Sequence, residues 1–155
     1  MKIISAFAMC LICFQLYACT MNTVNESTSN SKDILNTDSM KIKITIGPNI
    51  FIATFYNNTT ATAFKAMLPM TVNMSELNGN EKYLNLSNNL PTNASNPGTI
   101  QTGDLMLYGS NTLVLFYKTF STSYNYTKIG HIDSSSGLVS ALGSETVTMT
   151  YELIN

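Results

Sequence analysis

Two glutamates have the residue type and the spacing that acid–base or cation chemistry requires. Glu76 and Glu81 enclose residues 77–80 (LNGN), whose Asn-Gly pair is typical of a hairpin turn. Side by side across such a turn, the two carboxylates would share a proton, bind a cation or contact a ligand. The alternative is a pair of solvated charges at a loop rim. A glycosidase pair would also need a sugar cleft between opposed carboxylates, and the sequence gives no sign of one.

The single histidine, His131, is a weaker candidate for chemistry. All three cysteines, Cys10, Cys13 and Cys19, lie in the first 19 residues, so the rest of the chain has neither a disulfide nor a cysteine-ligated metal. A Ser–His–Asp triad is compatible with the composition, but no nucleophile-elbow motif accompanies the histidine. No glycine-rich phosphate-binding motif is visible either. We therefore expect a structural histidine, no metal and no cofactor.

The charge of the chain excludes one class of partner. Its 155 residues carry 8 basic and 9 acidic side chains, for a net charge of −1, and every basic residue is a lysine. A nucleic-acid-binding protein needs a basic stripe that neutralises phosphates, and this sequence has none. Apolar residues make up 45% of the chain, which is typical of a globular protein.

The first 19 residues predict an exported bacterial lipoprotein. Lys2 precedes an apolar run at residues 3–14, which is too short to span a bilayer and is typical of a signal peptide. Residues 16–19 (LYAC) resemble a lipobox, with Cys19 as the lipid acceptor. Removal of residues 1–18 would leave Cys19 as the acylated first residue, anchored to a membrane of the bacterial cell envelope. The alternative is an ordinary cleaved signal peptide with a chance cysteine.

Residues 19–39 are predicted to be the lipidated N-terminus and a flexible tether, and residues 40–155 the folded domain. The tether is rich in Ser, Thr and Asn and lacks hydrophobic periodicity. Asp38-Ser39-Met40 resembles a short bacterial O-glycosylation signal, although a three-residue match also arises by chance.

Alternating apolar and polar residues predict the strands that must position the candidate side chains. In residues 40–46 every second residue is Met or Ile, and lysines and a threonine stand between them. Similar patterns between turns rich in Gly, Asn and Pro predict eight strands, at residues 40–46, 50–56, 71–76, 81–86, 105–108, 112–118, 127–133 and 145–154. Two short helices are predicted, one capped by Thr59 or Thr60 and ended by Pro69, the other at residues 134–142.

These elements predict an all-β fold. Tight hairpins and strict alternation favour antiparallel pairing, and closing a sheet removes its exposed edges. Strand 112–118 is apolar on both faces, which indicates a central position. We predict a closed antiparallel eight-stranded β-barrel with two short helices. The long segment 87–103 is expected to be functional or packed as a small structure of its own.

Several segments of this barrel resemble the cyclophilin-like family of small bacterial proteins. They are residues 74–83 (MSELNGNEKY), 96–109 (NPGTIQTGDLMLYG), 115–117 (LFY) and 129–132 (IGHI). The resemblance covers roughly residues 40–154 and implies a minimal cyclophilin-type barrel with two helices. Some members of the family are fused to flavodoxin-like domains, and no clear biochemical activity accompanies the family.

The resemblance also implies where a ligand would bind. Cyclophilins are peptidyl-prolyl isomerases that polarise the prolyl amide with an arginine, and this sequence has neither an arginine nor a tryptophan for the proline pocket. A lysine lacks the planar fork of donors, so we do not expect such activity. The sequence is dense in aromatic residues, which are either core or the lining of the groove that in cyclophilins receives a peptide. We predict a ligand groove formed by Glu76, Glu81, Tyr83, Tyr108, Phe116 and Phe120.

The sequence therefore predicts a membrane-anchored binding or accessory lipoprotein that holds a peptide, a protein or a small ligand in this groove. One alternative is a divergent prolyl isomerase or folding factor. Another is an accessory module for a flavodoxin-type redox partner. No nucleic-acid partner is expected.

Overall fold

Eight antiparallel strands close into one barrel in this protein. The computed structural model describes residues 40–154. In chain order the elements are β1 (Lys41–Ile46), β2 (Asn49–Phe55), α1 (Thr59–Lys65), β3 (Met70–Leu77), β4 (Glu81–Asn85), β5 (Thr99–Ile100), β6 (Asp104–Tyr108), β7 (Thr112–Phe116), β8 (Phe120–Ser121), β9 (Thr127–Ile132), α2 (Leu138–Leu142) and β10 (Val147–Leu153).

The barrel runs β1-β10-β3-β4-β7-β6-β9-β2 and returns to β1, with every neighbouring pair antiparallel. The predicted fold class is confirmed, and each of the eight predicted strands forms one barrel strand. The two-residue strands β5 and β8 pair with each other outside the barrel.

Alternation along each strand fills the barrel with apolar side chains. In β1, Ile42, Ile44 and Ile46 are buried in the core, whereas Lys43 lies outside and pairs with Glu152 of β10 at 2.9 Å. Successive residues of a strand project to opposite faces, so the period-two pattern of the sequence places one set inside. Leu153, at the end of β10, is exposed although the alternation along this strand would place it inside.

Both helices contribute to this core, with bounds that differ from the prediction. Helix α1 is capped by Asn58, whose side chain accepts a hydrogen bond from the N–H of Ala61 at 2.8 Å, rather than by Thr59 or Thr60. Asn caps helices well because its short side chain reaches the free N–H groups of the first turn. Helix α2 begins at Leu138, later than predicted, and buries Leu138 and Leu142.

A second, smaller core lies on the outer face of β6 and β7. Leu113 and Leu115 of β7 point into the barrel, while Val114 and Phe116 point outward and are also buried. Strand β7, predicted to be central because it is apolar on both faces, is buried on both faces within the closed barrel. We call this cluster the outer core; its buried members are Ile100, Met106, Val114, Phe116 and Tyr126.

The segments that cover the outer core come from the two long connections between barrel strands, residues 86–103 and 117–126. Ile100 of β5 pairs with Phe120 of β8, and Ser95 forms an isolated bridge with Tyr126. Within residues 40–154, no helix is long and apolar enough to cross a membrane. The predicted signal peptide, Cys19, the tether and Ser39 lie outside the described residues.

Candidate ligand-binding groove

An open groove of about 570 Å³ lies beside the outer core. Its walls are parts of β4 and β7, the turn before β4, and the segment 120–126. Four of the six predicted groove residues line it: Glu81, Tyr83, Tyr108 and Phe120. The other lining residues are Leu77, Asn78, Asn80, Asn85, Thr112, Val114, Ser121, Thr122, Ser123, Tyr124 and Tyr126.

Phe116, the fifth predicted residue, supports the groove from below. Its side chain is fully buried, and its ring centroid lies 5.7 Å from that of Phe120 and 5.4 Å from that of Tyr126. Edge-to-face contacts of this kind are favourable because the positive ring edge meets the negative ring face. Phe116 therefore positions two lining rings and does not itself line the groove.

Glu76, the sixth predicted residue, lies on the opposite face of its hairpin from Glu81. The turn between β3 and β4 has three residues, so that Leu77 pairs with Glu81 and Glu76 pairs with Lys82. Asn78 and Gly79 adopt positive φ angles of 57° and 68° in that turn. The two carboxylates are consequently not side by side, and the expectation of a proton-sharing pair is wrong for this geometry.

Glu76 instead belongs to a buried polar cluster at one end of the barrel. Its Oε2 lies 2.6 Å from Nζ of Lys82, and its Oε1 accepts hydrogen bonds from Tyr117 and from the N–H of Gly79, both at 2.8 Å. Lys82 is fully buried and also donates to the carbonyl of Glu145 at 2.7 Å. Burial alone would raise the pKa of Glu76, but the bonds from Lys82, Tyr117 and Gly79 outweigh it and lower that pKa.

Glu81 has the opposite environment. The residue is only 9% exposed, and burial together with the charge of Glu76 raises the pKa of its carboxyl to about 7. Among residues 40–154 no hydrogen bond or ion pair reaches this carboxylate. Asn80, which lines the same part of the groove, has a buried Oδ1 that meets no donor in the described part of the chain.

Three tyrosines form an aromatic corner of the groove, and one of them, Tyr126, lies near the carboxylate of Glu81. The ring of Tyr108 lies 6.1 Å from that of Tyr124 at 90° and 5.6 Å from that of Tyr126 at 50°. Burial, followed by the charge of Glu81 and the neighbouring Tyr108 and Tyr124, raises the pKa of Tyr126 to about 12. The hydroxyl of Tyr126 therefore stays neutral near physiological pH. Tyr124, Tyr126 and Val114 were not among the predicted groove residues, although the density of aromatics in the segment 119–126 was a signal for the two tyrosines.

The histidine lies outside the groove. Nδ1 of His131 is 2.9 Å from Oδ1 of Asp104, and Oδ2 of Asp104 accepts a hydrogen bond from the N–H of Gln101 at 2.8 Å. These contacts tie β9 to the turn that precedes β6. Within the described residues, no group of three His, Cys, Asp or Glu side chains is placed to hold a metal ion.

A family model, that of the cyclophilin-like family, matches residues 44–152, which span nearly the whole barrel. The chain belongs to the cyclophilin-like family. No curated protein matches the chain. In this cyclophilin-like barrel, the groove lies on the outer wall, and the interior is closed by packed side chains.

Proposed function

We propose that this cyclophilin-like protein is a binding module that holds an aromatic or aliphatic part of an organic ligand in the groove beside the outer core. The observation that supports the proposal is an open groove with aromatic walls and a buried, apolar base. Tyr83, Tyr108 and Phe120 form walls, and Val114 forms the base, supported from below by the buried ring of Phe116.

The size and chemistry of the groove suit such a ligand. Ligand pockets commonly enclose about 300–1,000 Å³ and combine apolar walls with a few polar groups that fix orientation. The groove has about 570 Å³, with Thr112 and Thr122 among its polar lining. Burial of an apolar ligand surface here would supply the binding free energy, at roughly 25 cal/mol per Å².

The proposal includes a lipid anchor at Cys19 that holds the barrel at a bacterial envelope membrane. This part rests on the sequence of residues 1–19 alone. An anchored binding module does not need catalytic groups, and the groove lining contains one charged residue, Glu81, and no lysine. Prolyl isomerisation would require a cationic or strongly donating group at the amide, so the lining favours binding over isomerisation.

A neutral aromatic probe tests the groove. We expect 2-phenylethanol, titrated into full-length protein in a non-ionic detergent, to shift the backbone NMR signals of residues along β4 and the segment 120–126. Truncation of a wall by Tyr83→Ala or Tyr108→Ala should weaken binding several-fold, because each removes part of the apolar contact surface.

Tyr56→Ala is the matched control, because Tyr56 is an exposed tyrosine outside the groove lining. It should leave probe binding unchanged. Absence of binding to the wild-type protein, or signal shifts confined to regions away from the groove, would contradict the proposed function. A peptide-based prolyl isomerase assay with the same preparation should give no acceleration above the uncatalysed rate, and clear acceleration would favour the divergent isomerase instead.

A further inference from the structure

We infer that the groove of this protein selects a small organic cation, in which an ammonium group is attached to an apolar body. The ammonium would lie against the carboxylate of Glu81 and the ring of Tyr126, and the apolar body against the aromatic walls of the groove. This inference rests on the proposed function, since it names the class of ligand that the same groove would take.

Charge complementarity is the first argument. Of the groove-lining residues, all in the described part of the chain, only Glu81 is charged. Its carboxylate has no partner among residues 40–154, whereas Glu76, five residues earlier in the chain, receives three donors. The fold therefore satisfies one carboxylate of the hairpin internally and leaves the other facing the groove. A buried carboxylate without a partner is costly, and a ligand cation would remove that cost.

The second argument is the aromatic corner formed by Tyr108, Tyr124 and Tyr126. The faces of aromatic rings carry partial negative charge and attract cations within about 6 Å of the ring centroid. The ring pairs meet at 90° and 50°, so their faces point in different directions. Such an arrangement suits a compact cation better than it suits a flat ring that would stack on one face.

An anionic ligand is disfavoured by the same features. It would meet the carboxylate of Glu81 and the negative faces of the tyrosines, and no cationic side chain belongs to the lining. The volume of about 570 Å³ suits a small molecule that is largely enclosed by the groove. We therefore assign the site to small amphiphilic amines.

Three probes of similar shape and different charge test this inference. Full-length protein in non-ionic detergent would be titrated calorimetrically at about pH 8, where Glu81 is mostly ionised, with 2-phenylethylammonium, 2-phenylethanol and 3-phenylpropionate. We expect the ammonium to bind about tenfold more tightly than the alcohol, because a hydrogen bond to a charged group is worth more than a neutral contact. The carboxylate should bind more weakly than the alcohol.

The charge preference should depend on Glu81. In Glu81→Gln the ammonium and the alcohol should bind with similar affinity. Glu152→Gln is the matched control, because Glu152 pairs with Lys43 on the outside of the barrel, and it should keep the full preference.

Each other outcome is decisive. Equal binding of ammonium and alcohol to the wild-type protein would overturn the cation inference and leave the proposed function intact. A preference for ammonium that persists in Glu81→Gln would overturn the assignment to Glu81. If none of the three probes binds, the proposed function and the inference both fail.

Discussion

At the scale of single residues, the two glutamates of the β3–β4 hairpin differ because they project from opposite faces of the sheet. Glu76 faces Lys82 and Tyr117 at one end of the barrel. The hydrogen bonds from these two residues help to lower its pKa, although burial by itself would raise it. Glu81 faces the groove, and its pKa is raised by burial and by the charge of Glu76. The same residue type thus stabilises the fold at one position and is available to a ligand at the other.

Glu81 should make the protein less stable as the pH rises. Its pKa is about 7 in the folded protein and ordinarily 4.5, so between these values the folded state holds a proton that the unfolded state has lost. The stabilisation is complete below about pH 4.5 and disappears as the pH rises to about 7. Glu81→Gln mimics the neutral acid, and we expect it to raise the free energy of unfolding at about pH 8 by up to roughly 3 kcal/mol.

Denaturant unfolding across this pH range measures the effect. The wild-type protein and Glu81→Gln should have similar stability near pH 4.5 and diverge above it. Glu152→Gln controls for the loss of one negative charge on the outer surface. A parallel pH dependence of the wild-type protein and Glu81→Gln would refute the environment described for Glu81.

Replacing either member of the buried pair Glu76 and Lys82 should lower the free energy of unfolding, whereas Glu81→Gln should raise it. Glu76→Gln leaves the ammonium of Lys82 buried with the carbonyl of Glu145 and without its counter-ion, which costs about 3 kcal/mol or more. Lys82→Met should also destabilise the protein, because the carboxylate and that carbonyl lose their donor. In the double variant the loss should be smaller than the sum of the two single losses, because neither charge remains unpaired.

Chemical denaturation of the four proteins completes this double-mutant cycle. Additive losses would show that the two side chains do not interact. Because the pKa of Glu76 is lowered in the fold, its stabilising contribution should be present near neutral pH and decline as the pH falls into the acid range.

At the scale of elements, Gly130 of β9 lies tightly against the backbone of β2. A Cβ on Gly130 would lie 2.8 Å from the carbonyl oxygen of Thr54, closer than such atoms normally approach. We expect Gly130→Ala to push the two strands apart. It should lower the free energy of unfolding by about 2–3 kcal/mol, because extra atoms in a well-packed core force the backbone to shift.

Gly109→Ala is the control for this prediction. Gly109 has a φ of 60° and no atom within 4 Å of an added Cβ, so its replacement carries only the conformational cost, about 1 kcal/mol. Thermal unfolding of both variants separates the two effects. If Gly130→Ala is no worse than Gly109→Ala, the close contact does not constrain the barrel.

The elements also show which features the sequence is able to predict. The eight barrel strands follow from period-two alternation, because burial of one face dictates the residue type at every second position. The hairpin register does not follow, since Asn78 and Gly79 in left-handed conformations make a three-residue turn where the sequence equally allows four. The burial of Lys82 does not follow either, because a lysine in an alternating strand is expected on the outside. Its burial depends on its contacts with Glu76 and with the carbonyl of Glu145.

At the scale of the whole molecule, the groove depends on the outer core, which is built from several segments and does not follow from the residue pattern of any one strand. Strand β7 belongs to both cores, through Leu115 on its inner face and Phe116 on its outer face. The long connections then fold over the outer face and bring Phe120 and Tyr126 to the rim of the groove. Tyr83 and Tyr108, which the sequence predicts for the groove, line it because they lie on barrel strands whose faces the alternation defines. Tyr124 and Tyr126 come from irregular chain, whose path the sequence pattern does not define.

The proposed lipid anchor determines where such a barrel would meet its ligand. A single acyl chain holds a protein to a membrane only marginally, whereas the several chains of a bacterial lipoprotein hold it stably. We expect the wild-type protein, expressed in a bacterium fed with a palmitate analogue, to be labelled and to sediment with membranes. Cys19→Ala should lose both the label and the association, while Cys13→Ala should retain both, since Cys13 lies within the segment predicted to be removed. Labelling that survives Cys19→Ala would show that Cys19 is not the acceptor. An unlabelled, secreted wild-type protein would instead indicate an ordinary cleaved signal peptide, and the groove would then act away from the membrane.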